Sequence, residues 1–136
     1  MSIFLISSLV IFLTLLFFSL ILWRFNNRKY ISSRTVANAY DSWTQDKLLE
    51  RLWGEHIHLG YYPLNKNIGF REAKVQFVHE LVSWSGLDKL PRGSRVLDVG
   101  CGIGGSSRIL ANYYGFNVTG ITISPAQVKR AKELTP

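Results

Sequence analysis

The sequence predicts an α/β fold in which a membrane-spanning helix and a helical region precede the first βαβ unit of a parallel sheet. Three observations predict it. Residues Ile3 to Trp23 contain no charged side chain. The stretch "LDVGCGIGGSS", Leu97 to Ser107, joins an apolar run to a glycine-rich turn and two serines. A second run, Asn117 to Ile123, built on Val118, Ile121 and Ile123, leads into "SPAQVKRA". Strand, glycine turn, helix, strand and helix in that order make a βαβ unit with parallel strands.

At about 1.5 Å per helical residue, the N-terminal run can cross a hydrocarbon layer roughly 30 Å thick. A cleaved signal peptide is the competing reading. It would show a basic start and a small-x-small cleavage site, whereas nothing basic precedes the run and "LILWRFNNRK" after it has no Ala-x-Ala pattern. The anchor is therefore preferred. Arg24, Arg28, Lys29 and Arg34 all precede the first acid, Asp41. The positive-inside rule then puts the domain beyond this helix on the cytoplasmic side.

These bases contribute to a net charge of +7, from 16 Lys and Arg against 9 Asp and Glu. Beside an apolar helix they are explained by anionic lipid headgroups, and no nucleic-acid motif accompanies them. The single cysteine, Cys101, has no internal disulfide partner and reads as a packing residue in the turn.

Beyond the basic linker, Val36, Ala39, Tyr40 and Trp43 recur at helical spacing, and Leu48, Leu49, Leu52 and Trp53 continue the stripe. One broken helix or two short ones are expected, ending at Gly54. "EHIHLGYYP" is an extended loop. A helix follows from Phe70 to Ser85 with Val75, Val78, Leu81 and Val82 on its apolar side, His79 at the surface and Gly86 as cap. "LDKLPRGS" is a polar turn. Arg95 to Val99 is a short buried strand, and Ser106 or Ser107 opens a helix that runs through Tyr114 and closes at Gly115. Ser124 is the N-cap and Pro125 the first residue of the last helix.

The glycine turn fits two spacings. Gly100, Gly102 and Gly105 match G-x-G-x-x-G, while Asp98, Gly100, Gly102 and Gly104 match D-x-G-x-G-x-G. Dinucleotide turns present backbone N–H groups to a pyrophosphate, and the position two before the first glycine is usually apolar. Here it is Asp98, which would repel a pyrophosphate but suit a phosphate-free nucleotide carrying a sulfonium and an α-ammonium group. The acid that usually holds ribose hydroxyls about 20 residues on is replaced by Thr122, with Gln127 nearby; no acid lies between Asp98 and Glu133.

"VLDVGCGIGGSSRILA" with "VTGITISPAQVKRA" resembles class I S-adenosylmethionine-dependent methyltransferases, in the branch containing tocopherol methyltransferases and cyclopropane-fatty-acid synthases. "VANAYDSWTQDKLLERLWGEHIHLGYY" is similar to the enzymes that methylate tocopherol and plastoquinone precursors. The resemblance covers residues 35 to 136. It implies a Rossmann-like fold, truncated after the second strand. The expected organisation is an anchor over 1–23, a basic linker over 24–34, a helical lid region over 35–92 and the first part of the cofactor domain over 93–136. Two strands alone leave apolar faces open, so a longer protein is expected.

The resemblance further implies that Asp98, Gly100, Gly102 and Gly104 line the methionine end of an S-adenosylmethionine pocket. Thr122, Ile123 and Gln127 would lie by its ribose and adenine, and Ile57 and His58 would fold over it. The reaction implied is methyl transfer from the sulfonium to a ring carbon of a prenylated benzoquinol. An ionised ring hydroxyl pushes electrons onto that carbon, which displaces a neutral thioether. His56 or His58 could take the hydroxyl proton, His58 being the catalytic candidate, although both also read as structural. No third ligand at zinc-like spacing accompanies the pair, so no metal is expected. The partners implied are S-adenosylmethionine, the hydroquinol and membrane lipid. Another lipid or sterol acceptor, or an NAD-dependent quinol oxidoreductase, is the alternative.

Overall fold

The computed structural model describes residues 3–26, 30–64 and 66–136, with side chains of the first helix described from Ser7 to Arg24. Arg28 and Lys29 of the basic linker lie outside the described residues. The chain divides into two compact units, Met1–Thr35 and Val36–Pro136.

The first unit is dominated by α1, Ile3–Asn26, which ends three residues beyond the expected anchor. Its window Ser7–Arg24 has a mean hydropathy of 2.0, and its apolar side chains from Leu9 to Trp23 are exposed apart from half-buried Ile21. Thr14 gives its hydroxyl proton back to the Val10 carbonyl at 2.6 Å, so this polar group is satisfied within the helix. At 24 residues α1 is about 36 Å long, enough to span a bilayer.

In the second unit the broken helix is two helices, α2 (Ser33–Gln45, beginning in the first unit) and α3 (Leu48–Trp53). Lys47 separates them in the left-handed region at φ 55°, and Asp46 accepts the Leu48 N–H at 2.9 Å. Gly54, at φ 85°, ends α3 as expected. Leu48, Leu52 and Trp53 are exposed, so the α3 stripe is not a buried face. α3 is held instead by the Glu50 carboxylate, which accepts both Nε (2.9 Å) and Nη2 (2.6 Å) of Arg130.

α4 spans Phe70–Ser85 and ends on Gly86, whose N–H reaches the Ser83 and Val82 carbonyls. Its buried face is Ala73, Lys74, Val78 and Val82; Val75 and Leu81 point outward, contrary to expectation. The core combines Val78 and Val82 with Leu110 and Phe116, ringed by Val96, Ile109 and Val118. His79 is half-buried, its Nδ1 2.7 Å from the Tyr114 hydroxyl, rather than a free surface residue. The turn after α4 contains a short 3-10 helix, Leu87–Lys89.

β1 (Arg95–Val99) and β2 (Asn117–Ile121) pair in parallel, with Val96 opposite Val118 and Asp98 opposite Gly120. Alternation puts Val96 and Val118 on the core side, while Leu97 and Val99 face outward, Val99 at 71% exposure. β1 is therefore half-covered rather than buried, because α4 and α5 pack on one face only. β2 ends two residues earlier than expected: the Ile121 carbonyl receives the N–H groups of Gly100 (2.8 Å) and Cys101 (3.0 Å), which closes the ladder. Between the strands, α5 is Gly105–Asn112, with Gly104 rather than a serine at its N-cap and its end short of Tyr114. The expected serines are spent elsewhere, Ser107 on Asp98. α6, Pro125–Leu134, starts as predicted, with the Ser124 hydroxyl accepting the Gln127 N–H at 3.1 Å.

Candidate functional site

A cavity of about 680 Å³ opens over the carboxyl ends of the two strands, where ligands bind in open α/β sheets. Its floor is Asp98 to Ile103, and one wall is Thr122, Ile123 and Gln127. Tyr40, Trp43 and Thr44 of α2 also line it, and Gly54 to His58 form a roof. Eight of the nine sequence-predicted cofactor residues are thus brought together: Asp98, Gly100, Gly102, Thr122, Ile123, Gln127, Ile57 and His58. Gly104 is not among them. It sits behind the turn, where an added Cβ would lie 2.9 Å from the Arg108 guanidinium.

The turn is shaped for close approach. Gly100 and Gly102 have φ of 80° and 56°, which side-chain-bearing residues rarely adopt, and the space over each is open. Asp98 accepts the Ser107 hydroxyl at 2.6 Å, which fixes a negative charge at the edge of the floor. Cys101 lies with its sulfur against Gly120, and burial, then the Asp98 charge, pushes its thiol above the ordinary range. That environment fits packing, not a nucleophile.

On the far wall Thr122 donates to Gln127 Oε1 at 2.6 Å and its oxygen receives the Ser124 N–H at 3.3 Å. Gln127 is 5% exposed. Among the described residues its amide N–H groups take no partner, so two donors remain for hydroxyls in the cavity. The same wall is braced by a residue that sequence reasoning missed. Asp41 of α2 accepts from the Ser124 hydroxyl in a short hydrogen bond and from the Ala126 N–H at 3.0 Å. Its only sequence signal is a lone acid on a polar helix face.

The roof is tied to the turn by Arg108. Its guanidinium donates to the Ile103 carbonyl at 2.9 Å and to Glu55 at 2.5 Å. Within the roof, His58 Nδ1 lies 2.8 Å from the Leu59 carbonyl and its Nε2 lies 3.2 Å from His56 Nδ1. The Ser106 hydroxyl is a further 3.4 Å from that same His56 nitrogen. Burial, helped by the neighbouring His58, holds His56 below the usual imidazole range and favours its neutral form. The two histidines and Ser106 thus make a short relay at the cavity edge. Among the described residues no three His, Cys, Asp or Glu side chains form a metal-binding group.

The turn, the Asp98 carboxylate and the βαβ register meet at one cavity, and sequence comparison decides the family. Residues 62–135 match the mycolic acid cyclopropane synthetase family. This chain belongs to that family of class I S-adenosylmethionine-dependent methyltransferases. The chain is similar to the 2-methyl-6-phytyl-1,4-hydroquinone methyltransferase of Synechocystis sp. (strain ATCC 27184 / PCC 6803 / Kazusa), 66% identical over 112 residues, which are 80% of this chain and 35% of that protein. The chloroplastic tocopherol O-methyltransferase of Arabidopsis thaliana is 40% identical over 95 residues, covering 64% of this chain and 27% of that one. The chain therefore spans about a third of the length of the curated methyltransferases it matches. Among solved structures, the [4+2]-cyclase SpnF superposes with a TM-score of 0.63 at 29% identity, over 75% of this chain and 37% of that one. A putative sarcosine dimethylglycine methyltransferase from Galdieria sulphuraria superposes with a TM-score of 0.57 at 32% identity, over 69% of this chain and 36% of that one, so the α/β fold with its parallel strand pair is methyltransferase-like.

Proposed function

We propose that the full-length protein is an S-adenosylmethionine-dependent C-methyltransferase acting on a prenylated benzoquinol at a membrane, as in tocopherol and plastoquinone synthesis. The observation that carries this reading is the cavity itself. It places Asp98 and two left-handed glycines opposite Thr122 and Gln127, in a chain 66% identical over 112 residues to a phytyl-hydroquinone methyltransferase. When bound, S-adenosylmethionine supplies a methyl group on a sulfonium. Asp98 suits its α-ammonium end, and the Gln127 amide suits its ribose hydroxyls. Ile57 and Ile123 offer apolar surface for the adenine, and Tyr40 and Trp43, packed edge to face at 5.5 Å, offer ring faces to a cation. The roof keeps water from the reacting atoms, and the neutral His56 with His58 can accept a ring-hydroxyl proton at the cavity edge.

The membrane enters through α1, which is long and apolar enough to cross and carries Arg24 at its carboxyl end. Anchoring would hold the catalytic unit where a prenylated acceptor dissolves, with the basic side facing the cytoplasm. The likeness to a [4+2]-cyclase shows why the fold alone does not fix the reaction.

Calorimetry on the full-length protein tests the reading. S-adenosylmethionine is expected to bind and NADH not to. Asp98→Ala is expected to weaken binding about tenfold or more, the worth of a hydrogen bond to a charged group. Saturable NADH binding without S-adenosylmethionine binding would reverse the assignment. Transfer of a labelled methyl group to a prenylated hydroquinol, and not to a sterol, would confirm the acceptor class.

A further inference from the structure

The roof over the cavity has few main-chain hydrogen bonds of its own. Among the described residues, Gly54 N–H belongs to the end of α3 and Tyr61 N–H reaches the Ala73 carbonyl of α4 at 2.8 Å; between them no backbone N–H finds a backbone acceptor. Side chains must therefore hold residues 55–60, and one stands out. Lys74 is 4% exposed, yet no ion pair among the described residues includes it. Its ammonium donates to the Trp53 carbonyl at 3.0 Å and to the His56 carbonyl at 2.8 Å. It also lies 5.0 Å from the Trp53 ring centroid and 5.3 Å from that of Phe70.

The two carbonyls are three residues apart and flank Gly54, whose φ of 85° turns the chain. An ammonium bonded to both closes that turn from outside, as a bound cation would, and fixes where Glu55, His56 and Ile57 enter the cavity. Packing alone would be served by an apolar side chain of similar length, without the desolvation that a buried charge incurs. The tie from Arg108 to Glu55 has a carboxylate partner 45% exposed, which water can loosen.

We infer that Lys74 is a positioning residue for cofactor binding: its ammonium clasps the Trp53 and His56 carbonyls and so holds the roof segment closed over the cavity. The inference rests on the reading of that cavity as the S-adenosylmethionine site. Lys74 does not itself line the cavity and acts through the backbone of the roof.

The test compares Lys74→Met, Lys74→Arg and the unaltered full-length protein, without and with S-adenosylmethionine. In the ligand-free protein, amide hydrogen exchange at Gly54 and Tyr61, the hydrogen-bonded N–H groups that bound the roof, is expected to rise about tenfold in Lys74→Met, while residues 75–82 of α4 stay protected. The dissociation constant for S-adenosylmethionine, and its KM more than kcat, should rise by a similar factor, and Lys74→Arg should restore most of both. Unchanged exchange at Gly54 and Tyr61, or unchanged affinity with loosened exchange, overturns the inference. Lys74→Gln, a shorter neutral donor, is read in the same way if Lys74→Met does not fold. Loss of the whole fold in both variants also overturns it, since a clasp on one loop leaves the core standing. Failure of the unaltered protein to bind S-adenosylmethionine would count against the cavity assignment, whereas the ligand-free exchange result judges Lys74 by itself.

Discussion

Gly60 shows how closely the roof is seated on α4. A Cβ added there would lie 2.6 Å from Ala73 Cβ and 3.0 Å from the Ala73 carbonyl carbon, which cannot swing aside as a flexible side chain could. Gly60→Ala is expected to lower stability by about 1–3 kcal/mol through overpacking, seen as a lower Tm in scanning calorimetry, and to weaken cofactor binding. Gly105 is similar: an added Cβ would lie 2.9 Å from the His56 ring and 3.0 Å from the Glu55 carbonyl oxygen. The G-x-G-x-x-G spacing included Gly105 for a pyrophosphate. In the fold its role is to admit the roof. At this scale the glycines and Asp98 were legible in the sequence because a turn with left-handed φ leaves a local mark. Lys74 was not, since a lysine on an amphipathic helix reads as solvated until the carbonyls above it are in place.

Among the elements, α6 shows what local signals can and cannot carry. Ser124 and Pro125 announced its start, and the structure keeps both roles. The long-range half of the cap comes from Asp41, 83 residues earlier than Ser124, which no spacing rule reaches. A carboxylate at a helix N-terminus bonds free N–H groups and favours the positive end of the helix dipole. Asp41→Ala is expected to lower stability by about 1–2 kcal/mol, read from the midpoint of urea unfolding. It should also weaken S-adenosylmethionine binding, because Ser124 holds the Gln127 N–H; Asp41→Asn should lose less. The βαβ order, the parallel pairing and the bounds of α4 and β1 were legible, since each rests on apolar periodicity and turn residues within a few positions. The ends of α5 and β2 were not. They depend on Ser107 turning to Asp98 and on the turn N–H groups capping Ile121, both tertiary events. The outward faces of Val75 and Leu81 belong to the same class, because periodicity names an apolar side but not which part of it meets a neighbour.

For the whole molecule, α1 and the α/β unit divide the labour proposed above. Full-length protein is expected to sediment with lipid vesicles and to stay with them in high salt, and removal of residues 1–30 should release it to the supernatant. Release of the intact protein by salt alone would mean that basic residues, not α1, make the attachment. The α/β unit has a further property set by chain distance. Its core, from Val78 to Val118, joins residues at most 40 apart, whereas the cavity walls meet through Glu50 with Arg130 and Asp41 with Ser124, 80 and 83 residues apart. Contacts at shorter separation form faster, and more distant ones wait on loop closure. Helices α4 and α5 with their strands can therefore assemble while the pocket is still unmade. Ligand capture becomes a clock for the final step of folding, when remote stretches of polypeptide first meet.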